Sequence, residues 1–79
     1  MRHIEIYSTQ QCPYCLRARA LLNAKGLDYE EIDVSVDQQI MQYMIERSGQ
    51  RTVPQIFIDG EPVGGFEQLS MLDSSGELD

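Results

Sequence analysis

The feature that most constrains this chain is the change of pattern on either side of Cys12 and Pro13. Residues 3–8, HIEIYS, alternate apolar and polar side chains, which is typical of a β-strand. After Pro13 the apolar residues recur on one face of a helix, which Gly26 is placed to end. Proline suits the first position of a helix, where its missing N–H has no intrahelical partner to lose. The segment therefore predicts a strand, a short loop and a helix, with both cysteines of the chain, Cys12 and Cys15, at the junction.

A second strand and a second helix follow in the sequence. Residues 27–34, LDYEEIDV, carry the next alternating segment and predict the strand. Ser35 and Gln38 have the spacing of a capping box, which predicts that the second helix begins there. Apolar residues at helical spacing come next, and Gly49 should end the helix. The first two strands, joined through a helix, should pair in parallel with a right-handed crossover.

The last third of the chain predicts a hairpin and a final helix. Residues 55–59, QIFID, and residues 61–64, EPVG, meet at an Asp-Gly pair, which favours a two-residue turn. Pro62 has no N–H for a ladder hydrogen bond, so the second arm should lie at a sheet edge. Gly65 leads into an apolar stripe that is typical of a helix, and the polar tail, residues 73–79, is expected to fray.

The predicted order of elements is therefore β-α-β-α-β-β-α. We expect one domain over residues 1–79, because the chain is shorter than the common domain size of roughly 100–150 residues. The hairpin would add antiparallel strands to the parallel pair. The prediction is an α/β chain with the thioredoxin-like fold, in which three helices flank a four-stranded mixed sheet.

Charge and hydropathy disfavour several classes of function. The formal net charge is −7, which disfavours nucleic acid, since binding it needs clustered Lys and Arg to displace counterions, and also disfavours anionic membrane surfaces. No apolar run approaches the roughly 18 residues of a membrane span, and the N-terminal residues lack the apolar segment of a signal peptide. We therefore expect a cytoplasmic protein that binds neither nucleic acid nor membranes.

The two cysteines leave few chemistries open. A structural zinc site needs four ligands, usually Cys or His, and this chain offers two Cys and a single His, His3, at the far end of the first strand. A purely structural disulfide across so short a loop would remove little chain entropy. A Cys-x-x-Cys pair in a β-α-β setting instead indicates a redox couple. No bound metal is expected.

The positions of the two thiols suggest different roles. A thiolate, not a thiol, is the attacking species in disulfide exchange. Cys12 lies where the unpaired N–H groups at a helix start favour negative charge. Cys15 lies one helical turn further in and should be shielded. Cys12 is therefore the candidate nucleophile, and Cys15 is the candidate resolving thiol that can close a disulfide with it.

Three motifs in this chain, taken in order, resemble those of the glutaredoxins. They are CPYC at residues 12–15, RTVP at residues 51–54 and GGFEQL at residues 64–69. The resemblance extends over essentially the whole chain and is greatest to the short bacterial dithiol class, the glutaredoxin 3 type. It implies a glutathione-dependent thiol–disulfide oxidoreductase that reduces glutathione mixed disulfides and protein disulfides.

The resemblance also implies a co-substrate and partners. The co-substrate is glutathione, and the partners are glutathionylated or disulfide-containing proteins, with ribonucleotide reductase among those expected. A monomer is expected, because no long apolar stripe is left over. The residues that the resemblance assigns to glutathione binding are Tyr14, Arg51, Thr52, Val53, Pro54, Gly65, Phe66, Glu67 and Gln68.

Individual roles follow from the same resemblance. Pro54 corresponds to the family's cis-proline, and the N–H and C=O of Val53 would pair with the cysteine portion of glutathione as a strand would. Arg51 would meet the glycyl carboxylate. Backbone N–H groups near Phe66 and Glu67, at a helix start, would hold the γ-glutamyl carboxylate.

Two positions depart from the family pattern. Thr9 stands where many relatives carry a lysine before the first cysteine. Gln68 stands where an acidic residue usually meets the amino group of glutathione. Because each substitution removes a charged contact, the sequence predicts weaker binding of glutathione rather than loss of activity.

Two other functions stay open at this point. One is a redoxin that is reduced by thioredoxin reductase instead of glutathione, which the two lost charges favour. The other is a carrier of a [2Fe–2S] cluster held by Cys12 of two subunits and two glutathiones. Pro13 and Cys15 argue against the carrier, because family members specialised for it usually have glycine after a single active-site cysteine.

Overall fold

The computed structural model describes residues 2–78 and confirms the predicted order β-α-β-α-β-β-α. The elements are β1 (Ile4–Ser8), α1 (Pro13–Ala24), β2 (Glu30–Asp33), α2 (Gln38–Ser48), β3 (Gln55–Ile58), β4 (Glu61–Gly64) and α3 (Phe66–Ser74). The strand predicted over 27–34 is shorter at both ends than expected. None of the helices described in this part of the chain is long and apolar enough to cross a membrane.

The four strands form one mixed sheet in the order β2-β1-β3-β4. β1 pairs in parallel with β2 and antiparallel with β3, and β3 pairs antiparallel with β4. β1 is therefore an inner strand, and its carboxyl end leads directly into the loop that carries Cys12. With helices on both faces, this is the predicted thioredoxin-like fold.

Alternation along β1 divides the core between the two faces of the sheet. Ile4 and Ile6 pack on one face with side chains of α1 and α3, whereas Tyr7 packs on the other face beside α2. Ile6 is fully buried, and burying an isoleucine side chain contributes about 1.5–3 kcal/mol. The helices on the two faces thereby fix the position and direction of β1, whose carboxyl end leads to Cys12.

The start of α2 differs from the prediction. Asp37, not Ser35, caps the helix, and its Oδ1 accepts a hydrogen bond from the N–H of Gln39 at 2.8 Å. Ser35 is occupied elsewhere, because its N–H and its hydroxyl both donate to Oδ1 of Asp33. The expected capping box of Ser35 and Gln38 is therefore wrong, although Gly49 ends the helix as predicted, with φ of 74°.

The hairpin of β3 and β4 is confirmed. Asp59 and Gly60 both have positive φ, 53° and 83°, as a two-residue turn between twisted strands requires. β4 is the edge strand, so the missing N–H of Pro62 is tolerated there, as predicted.

The tail does not fray over the described residues, which is a correction. Leu78 is 1% exposed and belongs to the core that lies beneath α1 and α3. The backbone reverses at Gly76, with φ of 81°, and the N–H of Glu77 donates to the carbonyl of Leu72. Arg2 also donates to the carbonyl of Glu77. One apolar side chain in a polar segment is enough to dock it; residue 79 lies outside the described residues.

Candidate active site

Cys12 occupies the N-cap position of α1. Its Sγ accepts a hydrogen bond from the N–H of Cys15 at 3.2 Å. Pro13 follows at the first helical position, so the N–H groups left without an intrahelical partner are those of the next residues. These N–H groups and the positive end of the helix dipole favour negative charge on the sulfur of Cys12.

The two thiols are close together but differ in access. Both cysteines are free; Cys12 is partly exposed and Cys15 is fully buried. Burial, with a smaller contribution from the hydrogen bond to Cys12, raises the pKa of Cys15 to about 12, while a backbone hydrogen bond to Thr9 acts in the opposite direction. At neutral pH Cys15 is thus a protonated thiol, and Cys12 is the sulfur that a substrate can reach.

The loop before β3 places the backbone of residues 52–54, called the ledge below, next to Cys12. The Val53–Pro54 peptide bond is cis, as expected for Pro54. The Sγ of Cys12 lies 3.6 Å from the carbonyl oxygen of Val53, which accepts from the thiol. Thr52 and Val53 line a cleft beside this contact. A cysteine-containing peptide that lies extended along the ledge would therefore place the sulfur of its cysteine next to Cys12.

Gln55 holds this loop in place, and the sequence analysis missed it. Its side chain is 1% exposed, and its Nε2 donates to the carbonyl of Thr52 at 2.9 Å and also to Oγ1 of Thr52 and Oε1 of Gln50. The available signal was a glutamine directly after Pro54 in an otherwise apolar strand. A buried polar side chain in that position must have nearby partners.

The cleft beside Cys12 has a volume of about 260 Å³ and gathers most of the predicted binding residues. Arg51 is the exception, since it is exposed and does not line the cleft. It makes no ion pair with any carboxylate of residues 2–78 and so stays available to an anion outside the cleft. The lining residues are Tyr14, Gln50, Thr52, Val53, Pro54, Gly65, Phe66, Glu67 and Gln68.

The start of α3 forms one end of the cleft. Gly65 is its N-cap, and its N–H donates to Oε1 of Gln68 at 2.9 Å. Gly64 has φ of 119°, and a Cβ there would lie 3.0 Å from the side chain of Gln68, so glycine is needed for both its conformation and its size. The N–H groups of Phe66 and Glu67, in the first turn, have no intrahelical acceptor. This end of the cleft is therefore suited to an anion.

An aromatic pair closes the side of the cleft between α1 and α3. The rings of Tyr14 and Phe66 lie 6.4 Å apart between centroids, and Tyr14 is 52% exposed. The guanidinium of Arg17 lies 5.2 Å from the centre of the Tyr14 ring. Arg17 was not among the predicted site residues, although its position three residues after Tyr14 in a helix was the signal for this contact.

Other parts of the surface offer less chemistry. A larger and mainly apolar groove of about 500 Å³ lies between β4 and α3 and holds no thiol. His3, Glu5 and Glu30 bring one imidazole nitrogen and two carboxylates within 4.8 Å of one another, the only such donor group within residues 2–78. Glu5 also accepts a hydrogen bond from Arg47. Because neither place contains a cysteine, the cleft beside Cys12 is the candidate reactive centre.

The sequence of the chain is similar to those of known proteins. The family model described as Glutaredoxin matches residues 4–63. Glutaredoxin 3 of Escherichia coli is 47% identical over 79 residues, which cover 100% of this chain and 95% of the relative. Glutaredoxin 1 of Rickettsia prowazekii is 49% identical over 78 residues, covering 96% of this chain and 82% of the relative. The likeness includes the segment with both cysteines.

Solved structures show the same fold. The solution structure of glutaredoxin from Brucella melitensis has a TM-score of 0.85 at 47% identity, covering 98% of this chain and 84% of that chain. The crystal structure of a buckwheat glutaredoxin–glutathione complex has a TM-score of 0.87 at 29% identity, covering 95% and 71%. The fold is therefore shared along nearly the whole chain.

Proposed function

Since the chain belongs to the glutaredoxin family and is thus a glutathione-dependent thiol–disulfide oxidoreductase, we propose that Cys12 is its nucleophile and Cys15 its resolving thiol. The observation that carries this proposal is the geometry at the start of α1. Cys12 is partly exposed and its sulfur accepts a hydrogen bond from the N–H of Cys15, whose own thiol is buried and protonated.

The first step is attack on a glutathione mixed disulfide. The thiolate of Cys12 attacks the sulfur on the glutathione side, a Cys12–S–S–glutathione bond forms, and the substrate S–S bond breaks. The substrate leaves as a thiolate that takes up a proton. The N–H of Cys15 and the free N–H groups of the helix start stabilise the attacking thiolate before this step.

The second step regenerates the enzyme. The thiolate of another glutathione attacks the glutathione sulfur of the adduct, which releases Cys12 as a thiolate and forms glutathione disulfide. The sum is one mixed disulfide and one glutathione converted to one substrate thiol and one glutathione disulfide. Family potentials of about −200 to −230 mV lie close to the glutathione poise, so both directions are accessible.

Reduction of a protein disulfide uses Cys15. After Cys12 forms a mixed disulfide with the substrate, Cys15 loses its proton and attacks the sulfur of Cys12, which releases the substrate dithiol and leaves a Cys12–Cys15 disulfide. Two glutathiones then reduce this bond. Burial is the main cause of the raised pKa of Cys15, and the hydrogen bond to Cys12 and the charge on Cys12 raise it further. Formation of the mixed disulfide removes the charge on Cys12, which is one of the smaller causes, and so lowers the pKa of Cys15 in part.

Glutathione binding in the cleft follows from the same arrangement. Its cysteine portion would pair with the backbone of Val53, which lies beside the sulfur of Cys12. Its γ-glutamyl carboxylate would accept from the N–H groups of Phe66 and Glu67. Arg51 would reach the glycyl carboxylate from outside the cleft. Support for this placement comes from the buckwheat glutaredoxin–glutathione complex, which shares the fold.

The proposed partners are glutathionylated and disulfide-containing proteins, with ribonucleotide reductase among them. We place the protein as a monomer in the cytoplasm, where the glutathione pool drives the exchange steps. Those steps use no metal ion. The net charge of −7 disfavours nucleic acid and anionic membranes as partners.

The test is a steady-state assay with a glutathione mixed disulfide over a range of glutathione concentrations. NADPH oxidation is coupled through glutathione reductase in one series and through thioredoxin reductase, without glutathione, in another. We expect a rate that saturates with glutathione in the first series and no turnover in the second. Turnover through thioredoxin reductase alone would contradict glutathione dependence.

A further inference from the structure

We propose that Gln68 makes the helix end of the cleft a pure carboxylate site, so that the protein also reduces mixed disulfides of thiols that carry the carboxylate of glutathione but lack its free amino group. This inference rests on the proposed function. It concerns a class of substrate, namely γ-linked thiol peptides whose amino group is missing or acylated.

The orientation of the Gln68 amide is fixed by its hydrogen bond. The N–H of Gly65 donates to it at 2.9 Å, and an N–H can donate only to the oxygen of an amide, not to its NH₂ group. Oε1 is therefore committed to the backbone. The NH₂ group is the part of Gln68 left for a ligand, since it makes no hydrogen bond within residues 2–78.

The glycine at position 64 leaves room for the side chain in that orientation. Gln68 lies so close to Gly64 that a Cβ at Gly64 would meet Cγ and Oε1 of Gln68 at 3.0 Å. If the amide turned over, the N–H of Gly65 would face a second donor and lose its acceptor. The hydrogen bond from Gly65 thus holds this conformation of Gln68, and Gly64 leaves the space for it.

The end of the cleft at the start of α3 therefore offers hydrogen-bond donors to a ligand. The N–H groups of Phe66 and Glu67 and the NH₂ of Gln68 all complement a carboxylate, whereas an ammonium has only hydrogens to give. Among the residues that line the cleft, Glu67 alone has a carboxylate. Its side chain is exposed, and an exposed ion pair contributes little. Removing the amino group of the ligand should therefore cost little binding.

The first step with such a substrate is the one given for glutathione, and Cys15 completes the reaction when no free glutathione is present. The thiolate of Cys12 attacks the sulfur that the amino-free thiol contributes to the mixed disulfide. A disulfide between Cys12 and this sulfur forms, and the S–S bond to the substrate peptide breaks. The peptide leaves as a thiolate and takes up a proton. Cys15 then loses its proton and attacks Cys12, which closes the internal disulfide and releases the amino-free thiol.

The experiment compares two mixed disulfides of one fluorogenic peptide, with glutathione and with glutaryl-cysteinyl-glycine, its des-amino analogue. The reduced wild-type protein is mixed in excess with each, and peptide release is followed against protein concentration. We expect half-saturating concentrations that agree within about twofold and equal maximal rates. Preference for glutathione by tenfold or more would overturn the inference.

Gln68→Glu sharpens the test because it is isosteric. One carboxylate oxygen keeps the bond to Gly65, and the other replaces the NH₂ with a negative acceptor. We expect this variant to prefer glutathione over the analogue by about fivefold, through the half-saturating concentration and not the maximal rate. An unchanged ratio would contradict the role given to Gln68.

Two controls separate the other outcomes. Gln39→Glu adds the same charge on the exposed surface of α2 and should leave the ratio at the wild-type value. If the wild type prefers glutathione and Glu67→Gln abolishes that preference, Glu67 serves the amino group and the inference is wrong. If neither disulfide reacts, the proposed function itself fails, which is a different result from a large ratio.

Discussion

Two helices begin at the cleft, and each has one of the two hydrogen bonds that together form a capping box. At the start of α1 the N-cap side chain accepts, since Sγ of Cys12 takes the N–H of Cys15 three residues on. At the start of α3 the bond runs the other way, since Gln68 accepts from the N–H of the N-cap residue, Gly65. A full box would use both bonds in one helix.

The difference explains how one cleft can combine a reactive sulfur with a binding site. In α1 the capping atom is the reactive atom, so the favourable electrostatics of the helix start act on Cys12 itself. In α3 the N-cap has no side chain, which leaves the N–H groups of the first turn to a ligand. The first helix start should therefore control chemistry, and the second should control binding.

The largest expected effect tests the first helix start. Cys12→Ser should lose all activity toward glutathione mixed disulfides and protein disulfides, because an alcohol does not form the attacking thiolate. Serine is a good N-cap, so the free energy of unfolding should change by no more than about 1 kcal/mol. Coupled assays and urea unfolding measure the two quantities. Residual turnover in a pure sample would assign the attack to another group.

The next effect concerns the ledge between the two helix starts. Gln55→Leu removes the donor that holds Thr52 and Gln50 and should lower the free energy of unfolding by about 1–3 kcal/mol. Because Val53 is then less well positioned, the KM for glutathione should rise severalfold. Gln42→Leu on the exposed face of α2 is the matched control. A stable variant with an unchanged KM would show that the loop needs no such support.

A smaller effect tests the packing at the start of α3. Gly64 and Gly76 both have positive φ, but of these two only Gly64 lies where an added Cβ would meet another side chain, that of Gln68. Gly64→Ala should cost about 1 kcal/mol more than Gly76→Ala, with the strain of positive φ common to both. Adding Gln68→Ala to Gly64→Ala should recover part of that difference. Equal costs for the two alanines would mean that Gln68 moves freely.

The last effect is a pH dependence that belongs to Cys15. Its pKa is raised to about 12 in the folded protein, mainly by burial. Above pH 9 the unfolded chain releases this proton while the folded protein retains it, so stability falls as the pH rises from 9 toward 12. Urea unfolding at pH 8 and pH 10.5 should show a larger loss for the wild type than for Cys15→Ser. Identical losses would place the effect on other groups, such as Tyr7, whose pKa is also raised by burial.

Local patterns were sufficient for most of the fold and failed where partners are distant or compete. The alternation in β1, the end of α2 at Gly49 and the hairpin turn each depend on a few adjacent residues, and all were predictable. The N-cap of α2 was not, because Asp33 takes the donors of Ser35. The docking of Leu78 was missed for a related reason, since its contacts lie far away in the sequence.

The site shows the same division between near and distant signals. The positions of Cys12 and Cys15 relative to α1 follow from a strand pattern, a proline and two-residue spacing. The support that Gln55 gives to the cleft and the bond from Gly65 to Gln68 depend on loop conformations. The family resemblance predicted that Gln68 would bind the amino group of glutathione more weakly than an acidic residue does. In the structure its Oε1 instead accepts a hydrogen bond from the N–H of Gly65.

The most direct test of the central claim, that the start of α1 controls the chemistry, is a trapping experiment with Cys15→Ser. The variant is turned over with a glutathione mixed disulfide and, separately, with a protein disulfide, and its mass is then measured. We predict that it still reduces the mixed disulfide, accumulates one glutathione on Cys12 and fails to complete reduction of the protein disulfide. Loss of both activities, with no adduct on Cys12, would contradict the roles assigned to the two thiols.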